Sequence, residues 1–455
     1  MIEQRQEQTL GIVHSKIRKT LSGDSLFNCV REYFEENIKD HRAANVSISL
    51  IDSIMSGLAL YTLKEPTLLA FERDLKNTTF KYNFEKVFRV KNVPSDTALR
   101  EILDPVNPSS IRPVFKAIFH EVQRGKVLED YVFKVNNSYL FSIDGTEYFS
   151  SDTVHCDNCQ KKEHKDGEVT YSHAMLSGVL LHPTKKEVIP IASEPIIKQD
   201  GETKNDCEIN ALKRFLEKFR KDHPKLEITT LLDGLYSKAP VIKELQKYTM
   251  SFIIGAKQTD HKFLFEEVRR LESEGEITNH SITTEDKKEH GFKFVNNISL
   301  NKSNPDLLVN FTEYCETDKK GKKIHFSWVT NIEITKENVY ELMRAGRARW
   351  KIENETFNTL KNQGYEFEHN FGHGEENLSV NMALLMMLAF LIDQTQQKCC
   401  KLFQASLQTK HAKKYFWEDV RATFHKIMVE SWKMLLEVIL YGFEYTGFRI
   451  TYNSC

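Results

Sequence analysis

The spacing of apolar residues divides the chain into stretches of different character. Residues 1–135 have apolar positions at helical spacing and predict a helical region, including one helix from 109 to 124. From residue 136, short apolar runs and then alternating strands and helices indicate a mixed sheet with helices packed against it. The predicted strands are 139–143, 176–181, 187–192, 226–232 and 251–255, and the predicted helices are 206–220 and 241–248.

Residues 258–338 interrupt this alternation. Their strand-like segments at 290–300, 307–315 and 323–330, with a hairpin tip at 317–321, predict a β-rich insertion. The α/β pattern resumes with a helix in 339–376. Residues 377–455 are helical again, and the apolar run 382–392 is expected to be buried on most sides. The fold class is therefore α/β, with a helical N-terminal region, a β-rich insertion and a helical C-terminus.

Composition narrows the class of protein. The 455 residues are 40% hydrophobic and 28% charged, which is typical of a soluble protein of two or three domains. The start of the chain lacks the apolar core of a signal peptide, and the run 382–392 is too short to cross a bilayer. Eight cysteines in this length, two of them adjacent, do not form a secreted disulfide framework, so we expect a cytoplasmic protein without a membrane partner. Because the net charge is −1, a nucleic-acid binder of this composition must concentrate its basic residues locally.

Two aspartates follow apolar runs at predicted strand ends. Asp144 comes after the run 139–143, and Asp233 comes after 228–232. Each precedes a glycine, so a plain hairpin turn is the alternative. The Asp-Gly pairs at 166–167 and 200–201 are surrounded by charged residues and predict ordinary exposed turns. The apolar context of Asp144 and Asp233 instead favours carboxylates that emerge at the edge of a buried sheet, where they can bind hard divalent cations.

A third carboxylate is chosen by helical geometry. Glu353 has Arg349, Trp350 and Phe357 three and four positions away, which predicts a place within an apolar stripe. A carboxylate there needs a cation or an arginine to compensate its charge. Glu355 neighbours Lys351 and fits an exposed salt bridge. We therefore expect Glu353 to join the two aspartates at a metal site.

Three short motifs resemble the DDE transposases of bacterial insertion sequences. They are SIDGT at 142–146, LDGLYS at 232–237 and RWKIE at 349–353, supported by VPSDT at 93–97 and FGHG at 371–374. The resemblance spans about residues 90–375. It implies a ribonuclease H-like core, a β-strand insertion before the glutamate, and Asp144, Asp233 and Glu353 as the catalytic triad. The domain boundaries would then be a helical DNA-binding region at 1–135, core at 136–257, insertion at 258–338, the core helix with Glu353 at 339–376, and a helical C-terminal region at 377–455.

The resemblance also implies a mechanism and partners. The triad would hold two Mg²⁺ ions, with Mn²⁺ able to replace them, while the enzyme cleaves the ends of the element and joins them to target DNA. A synaptic homodimer, associated with the nucleoid when bound to DNA, is expected. Many members of the family carry a tyrosine seven before the glutamate and a lysine seven after it. Gly346 and Leu360 stand at those places here, with Tyr340 and Lys361 nearby.

Basic residues near the glutamate and in the N-terminal region are candidate DNA contacts. The helix, turn and helix around residues 96–124 resemble a DNA-binding layout, although a simple helical bundle explains the same pattern. For the run before the glutamate, a solvated helix face is the alternative. His373, between two glycines, could touch DNA or lie in a flexible turn. The candidates are Arg100, Arg112, Lys116, Arg344, Arg347, Arg349, Lys351, Lys361 and His373.

A cysteine and histidine cluster predicts a second metal site. Cys156, Cys159 and His164 have the C-x2-C-x4-H spacing that begins a zinc knuckle. The fourth ligand of a knuckle would fall at position 169, which is valine. His155 or His173 could take its place and close a tetrahedral Zn²⁺ site. The alternative is a loop with reduced, incidental cysteines.

Three functions remain open at this level. The first is an active transposase. The second is a DNA-binding protein descended from one, with catalysis lost, and the third is a stand-alone metal-dependent nuclease on the same fold. Retention of all three acids favours an enzyme, and the N-terminal helical region argues against the simple nuclease.

Overall fold

A single mixed sheet organises the molecule. The structure is a computed structural model that describes residues 19–43, 45–196, 207–285, 287–317 and 323–442. Eleven strands run in the order β3-β4-β2-β6-β7-β11-β10-β9-β8, with β1 beside β2 and β5 beside β4. The strands are β1 Val132–Phe133, β2 Ser138–Ser151, β3 Gln160–Glu163, β4 Val169–Leu181, β5 Ile189–Ile196, β6 Ile228–Leu232, β7 Ser251–Gly255, β8 Thr278–Thr283, β9 Glu289–Asn301, β10 Asn304–Thr317 and β11 Lys323–Thr330.

The centre of the sheet has the predicted ribonuclease H-like arrangement. Strands β2, β6 and β7 are parallel neighbours, while β4 and β5 add antiparallel strands beside β2. Every residue of β6 is buried. The strand lies between β2 and β7 in the middle of the sheet, and helices in the crossover connections of parallel strands cover both faces of such a sheet. The predicted α/β fold class is confirmed. The helices of this part are α8 Glu208–Asp222, α9 Ala239–Lys247 and α10 Lys262–Ser273.

The β-rich insertion continues this sheet rather than forming a separate layer. Strand β11 pairs antiparallel with β7, with Thr330 opposite Ile253, and β10, β9 and β8 follow outward. The three predicted insertion strands are present. Sequence patterning missed α10 and β8, and β8 alternates half-buried and exposed residues because it is the last strand at the edge. The predicted hairpin tip at 317–321 falls largely, and the Asp200-Gly201 turn wholly, outside the described residues.

The N-terminal helices pack against the sheet and against a C-terminal helix. The predicted helix 109–124 is two helices, because Pro113 interrupts the hydrogen-bond ladder and α7 starts after it. Helix α7 buries its apolar face between α1, β5 and a C-terminal helix. The helices of this region are α1 Gly23–Asn37, α2 Leu50–Thr62, α3 Leu68–Asp74, α4 Thr78–Phe88, α5 Asp96–Leu103, α6 Pro108–Ile111 and α7 Val114–Arg124.

The longest helix of the described chain lies in the core. Helix α13, Leu378–Cys399, is the one described helix long and apolar enough to cross a membrane, yet its apolar window is buried inside the protein. It is longer than the apolar run 382–392, because it continues through Asp393, whose carboxylate pairs with Lys64. The other helices of the C-terminal half are α11 Val339–Ala348, α12 Asn358–Asn362, α14 Lys401–Gln408, α15 Lys413–Lys426 and α16 Trp432–Tyr441.

Candidate active site

Asp144 lies inside strand β2, at the point where its parallel neighbour ends. The expectation that the strand stops at Asp144 was wrong, since β2 runs on to Ser151 with Asp144 opposite Ser177 of β4. On its other side β2 pairs with β6 only as far as Ser142 and Leu231. The carboxylate of Asp144 therefore stands at the edge of a gap in the sheet, although its own strand continues.

Asp233 occupies the matching position on β6. It lies two residues beyond Leu231, as Asp144 lies two beyond Ser142, and the two paired strands are parallel. The Oδ1 atom of Asp233 accepts a hydrogen bond of 2.8 Å from the backbone N–H of Leu235, which caps the short 3₁₀ turn that follows. The register of β2 and β6 thus brings the two aspartates, 89 positions apart in the chain (233 − 144), to the same edge.

Arg349 joins the third acid to the first. Its Nη1 lies 3.1 Å from Oδ2 of Asp144, and its Nη2 lies 2.8 Å from Oε1 of Glu353. A cation or an arginine was expected to compensate the charge of Glu353, and the structure supplies the arginine. The apolar stripe was not found, because the Glu353 side chain is 41% exposed and Trp350 is 54% exposed.

The backbone conformation explains why the predicted apolar stripe around Glu353 is absent. Glu353 lies in a π-helix, Ile352–Phe357, rather than in an α-helix. A π-helical turn is wider than an α-helical one, so α-helical spacing no longer predicts which side chains share a face. Here it buries Ile352 and Phe357 while Glu353 turns toward the aspartates. Short π-helical segments inside α-helices are frequent at functional sites.

Burial and like charges act on Asp144. Desolvation, followed by the charges of Asp233 and Glu353, raises the pKa of Asp144 from 3.8 to about 6, against the opposing effect of Arg349. Arg349 bridges Asp144 and Glu353, so the charges of these two carboxylates lie on either side of one guanidinium. The oxygens of the three carboxylates are not all within 4.8 Å of one another. Carboxylate oxygens are the donors that hard divalent cations prefer, so the donor chemistry is compatible with a divalent metal ion.

These features agree with one known family. A protein-family model described as the transposase DDE domain matches residues 156–391, more than half of the chain. The chain belongs to this transposase family. The matched segment contains Asp233 and Glu353 and begins beyond Asp144, whose assignment rests on the geometry above. Among curated proteins, none matches the chain.

A fourth carboxylate of this transposase domain was missed by the sequence analysis. Glu208, at the start of α8, reaches over Gly145, where an added Cβ would lie 2.5 Å from its Oε1. The hydroxyl of buried Tyr236 donates to Oε2 of Glu208 at 2.8 Å, and desolvation together with Glu208, Asp144 and Asp233 raises the pKa of that tyrosine. Acidic residues are common in the first turn of a helix, where they interact favourably with the helix dipole. The sequence therefore gave no indication that Glu208 lies at this site.

The raised pKa of Asp144 predicts a pH-dependent stability in the absence of metal. The folded state holds the proton of Asp144 more tightly than the unfolded state does, so the contribution of this group to stability falls as pH rises from about 4 to 6. Asp144→Asn should therefore become more stable than the wild type, by up to about 3 kcal/mol above pH 7, with little difference near pH 4. Urea unfolding with EDTA across this pH range measures the difference. A difference that does not change with pH would contradict the assignment.

The structure pairs two of the three N-terminal DNA-contact candidates with acids of the protein. Arg112 lies 2.7 Å from Asp222 and is 13% exposed, so it joins α6 to α8 rather than offering a free charge. Arg100 pairs with Asp96 at 2.6 Å. Lys116 is half-buried on α7. Of the two interpretations of this region, the packing favours the helical bundle.

The basic residues around the glutamate are more open, but most also have partners. Arg347 lies against the rings of Tyr314 and Phe326, and the ammonium of Lys351 donates to the backbone carbonyl of Lys185. Three ion pairs complete the set: Arg344 with Glu341 at 2.9 Å, Arg347 with Glu316 at 2.9 Å, and Lys361 with Glu368 at 2.6 Å.

The cysteine cluster forms with one unexpected member. The ligand atoms of Cys156, Cys159, His173 and His373 all lie within 4.8 Å of one another. His373 was a candidate DNA contact, but the structure buries it beside Cys159. The two remaining candidate ligands lie elsewhere: His164 bonds to Thr170 at 2.8 Å, and His155 stacks on Tyr171.

Proposed function

We propose that this protein cleaves DNA at the ends of an insertion element and joins those ends to target DNA. The observation that carries the proposal is the convergence of Asp144, Asp233 and Glu353 around Arg349, from three elements spread over about two hundred positions. Attack on a phosphodiester by water or by a 3′-hydroxyl adds negative charge to the phosphate oxygens, so catalysis depends on positioning and on nearby positive charge.

Asp144, Asp233 and Glu353 are the residues that would hold two Mg²⁺ ions, or Mn²⁺ in their place. Such ions supply Lewis-acid stabilisation of the attacking and leaving oxygens. Arg349 orients two of these carboxylates by its bonds to Asp144 and Glu353. Glu208 fixes the position of Tyr236 beside the aspartates and fills the space above Gly145.

Two clefts beside α11 offer a path for the DNA backbone. One is lined by Lys288, Arg344 and Lys351, and the other leads to Asp233 past Lys257. Arg347 and the exposed Trp350 border both clefts. Cations in a groove contact phosphates, and an exposed indole can stack on a base, so we place the DNA here rather than on the N-terminal helices.

Two ends of an element must be cut and joined together, so we also propose that a homodimer assembles on the DNA. The two clefts of one chain would then engage one end. The phosphate contacts supply most of the affinity of the protein for DNA. Two chains bound to the two ends are then brought together, so we expect the dimer to form when DNA is present.

The test uses the full-length protein and a linear DNA that carries the coding sequence with its natural flanks. With Mg²⁺ we expect cuts at fixed positions on both sides of the coding sequence, and joined products when a target plasmid is added. EDTA should abolish both. Binding to the flanks without any cut would support the inactive descendant instead. Cuts spread over unrelated DNA, without joining, would support the stand-alone nuclease.

A further inference from the structure

The Cys/His cluster brings together three separate parts of the chain. Cys156 and Cys159 lie in the connection between β2 and β3, and His173 lies on β4 opposite Phe149 of β2. His373 comes from the segment that follows the Glu353 helix. Phe149 is five residues beyond Asp144 on one strand, so the cluster lies roughly 15 Å from the acidic site.

The distances within the cluster are those of ligands around one ion. Cys156 Sγ lies 3.4 Å from His173 Nε2, and Cys159 Sγ lies 3.3 Å from His373 Nε2. The two sulfurs are 3.9 Å apart. With Zn–S of about 2.3 Å and Zn–N of about 2.0–2.1 Å, a tetrahedron places sulfurs about 3.8 Å apart and a sulfur and a nitrogen about 3.6 Å apart. The observed separations agree with these values to within about 0.3 Å.

A disulfide and a catalytic thiol both fit the cluster less well than a metal ion does. A disulfide requires sulfurs about 2.05 Å apart, roughly half of the observed separation. A catalytic thiol needs access to a substrate, but Cys159, His173 and His373 are 3%, 1% and 9% exposed.

Aromatic packing points the imidazoles inward. The ring of Phe149 lies 4.5 Å from that of His373, and Tyr148 stacks on His173 at 6.0 Å. The Nδ1 atoms of both histidines are buried and have no hydrogen-bonding partner among the described residues. Both Nε2 atoms face the sulfurs, so each imidazole directs its one engaged nitrogen at the centre of the cluster.

We propose that Cys156, Cys159, His173 and His373 bind one structural zinc ion. Two thiolates and two imidazoles are a preferred ligand set for Zn²⁺, and four protein ligands leave no open position for catalysis. The ligand set differs from the zinc knuckle expected from spacing, because His373 takes the place of His164.

The ion would fasten the segment after the Glu353 helix to the catalytic sheet. The same segment is tied at two further points: the Asn158 side chain donates to the carbonyl of Glu376 at 2.7 Å, and Asp104 accepts from the backbone of residues 375–378. Gly374 has φ +70°, and a Cβ there would lie 2.3 Å from Oδ1 of Asp104, so the backbone path is tightly constrained. Zinc would thus hold the connection between the catalytic helix and α13.

The proposal is tested by metal content and spectroscopy of the full-length protein, purified under reducing conditions without chelator. We expect about one zinc per chain by elemental analysis. Replacement with Co²⁺ should give the visible absorption of tetrahedral cobalt with a sulfur-to-metal band, independently of any variant. Less than about 0.1 zinc per chain, together with no such spectrum after Co²⁺ addition, would overturn the proposal.

Variants identify the ligands. Cys156→Ser and His373→Asn should each reduce zinc content at least about tenfold, whereas His164→Asn and Cys207→Ser should keep it within about 20% of the wild type. If His164→Asn loses zinc and His373→Asn keeps it, the proposed ligand set is wrong. Should a ligand variant fail to fold, the Co²⁺ spectrum of the wild type still decides whether a two-sulfur site exists.

Discussion

Asp144→Asn is expected to reduce Mg²⁺-dependent DNA cleavage by at least about 10³-fold, or about 4 kcal/mol of transition-state stabilisation. The asparagine has almost the same shape and can still accept a hydrogen bond from Arg349, so the loss reports the missing negative charge. Asp233→Asn and Glu353→Gln should behave alike, because under the proposed function the three carboxylates would hold the same ions. Cleavage rates of the flank-containing DNA under single-turnover conditions measure the effect.

The matched control is Asp166→Asn. Asp166 also precedes a glycine, but it lies in an exposed turn between β3 and β4, as the sequence predicted. Its cleavage rate should stay within twofold of the wild type. DNA affinity, measured by fluorescence anisotropy in EDTA, should change little in all four variants. Cleavage by Asp144→Asn within tenfold of the wild type would reject its catalytic assignment.

Asp393→Asn is expected to lower the free energy of unfolding by about 3–5 kcal/mol. Lys64 and Asp393 form an ion pair of 2.7 Å with both side chains fully buried. The Tyr365 hydroxyl also donates to Asp393, and the Lys64 ammonium lies 3.9 Å from the ring centres of Tyr365 and Trp417. Removing the carboxylate charge leaves the ammonium buried without a counter-charge, and this is the main reason for the loss.

Denaturant unfolding with a circular-dichroism signal measures this change. Lys247→Ala, which breaks an exposed pair with Glu244, is the control and should change stability by less than about 0.5 kcal/mol. The double variant Lys64→Met/Asp393→Leu should recover part of the loss, because no buried charge is then left unpaired. A loss below about 1 kcal/mol for Asp393→Asn would mean that water reaches the pair.

Local pattern was enough to locate most of the strands and the strand end before Asp233. The parallel strands β6 and β7 are short runs of apolar and β-branched residues, and such runs are typical of buried strands in a sheet covered on both faces. Asp233 was correctly placed at a strand end for the same reason. A cation or an arginine was expected to compensate the charge of Glu353, and Arg349, four positions before it, forms that pair.

Local pattern failed where a neighbouring element decides the outcome. Strand β2 continues past Asp144 because β4 pairs with it there, whereas the sequence predicted that the strand ends at Asp144. The π-helix around Glu353 and the carboxylate of Glu208 above Gly145 are likewise set by packing. None of these depends on the residues adjacent in sequence.

The sequence by itself determined the main strands of the mixed sheet and its helical flanks, since burial periodicity is a local property of a chain, and it supplied the three acids as candidates. Only the tertiary structure decided which side chains share a site. His373 lies 214 positions from Cys159, and no spacing rule connects them. Their contact exists because the segment after the Glu353 helix is folded back against the β2–β4 strands. Bringing such distant residues together costs chain entropy, so the contact forms only as part of the whole fold.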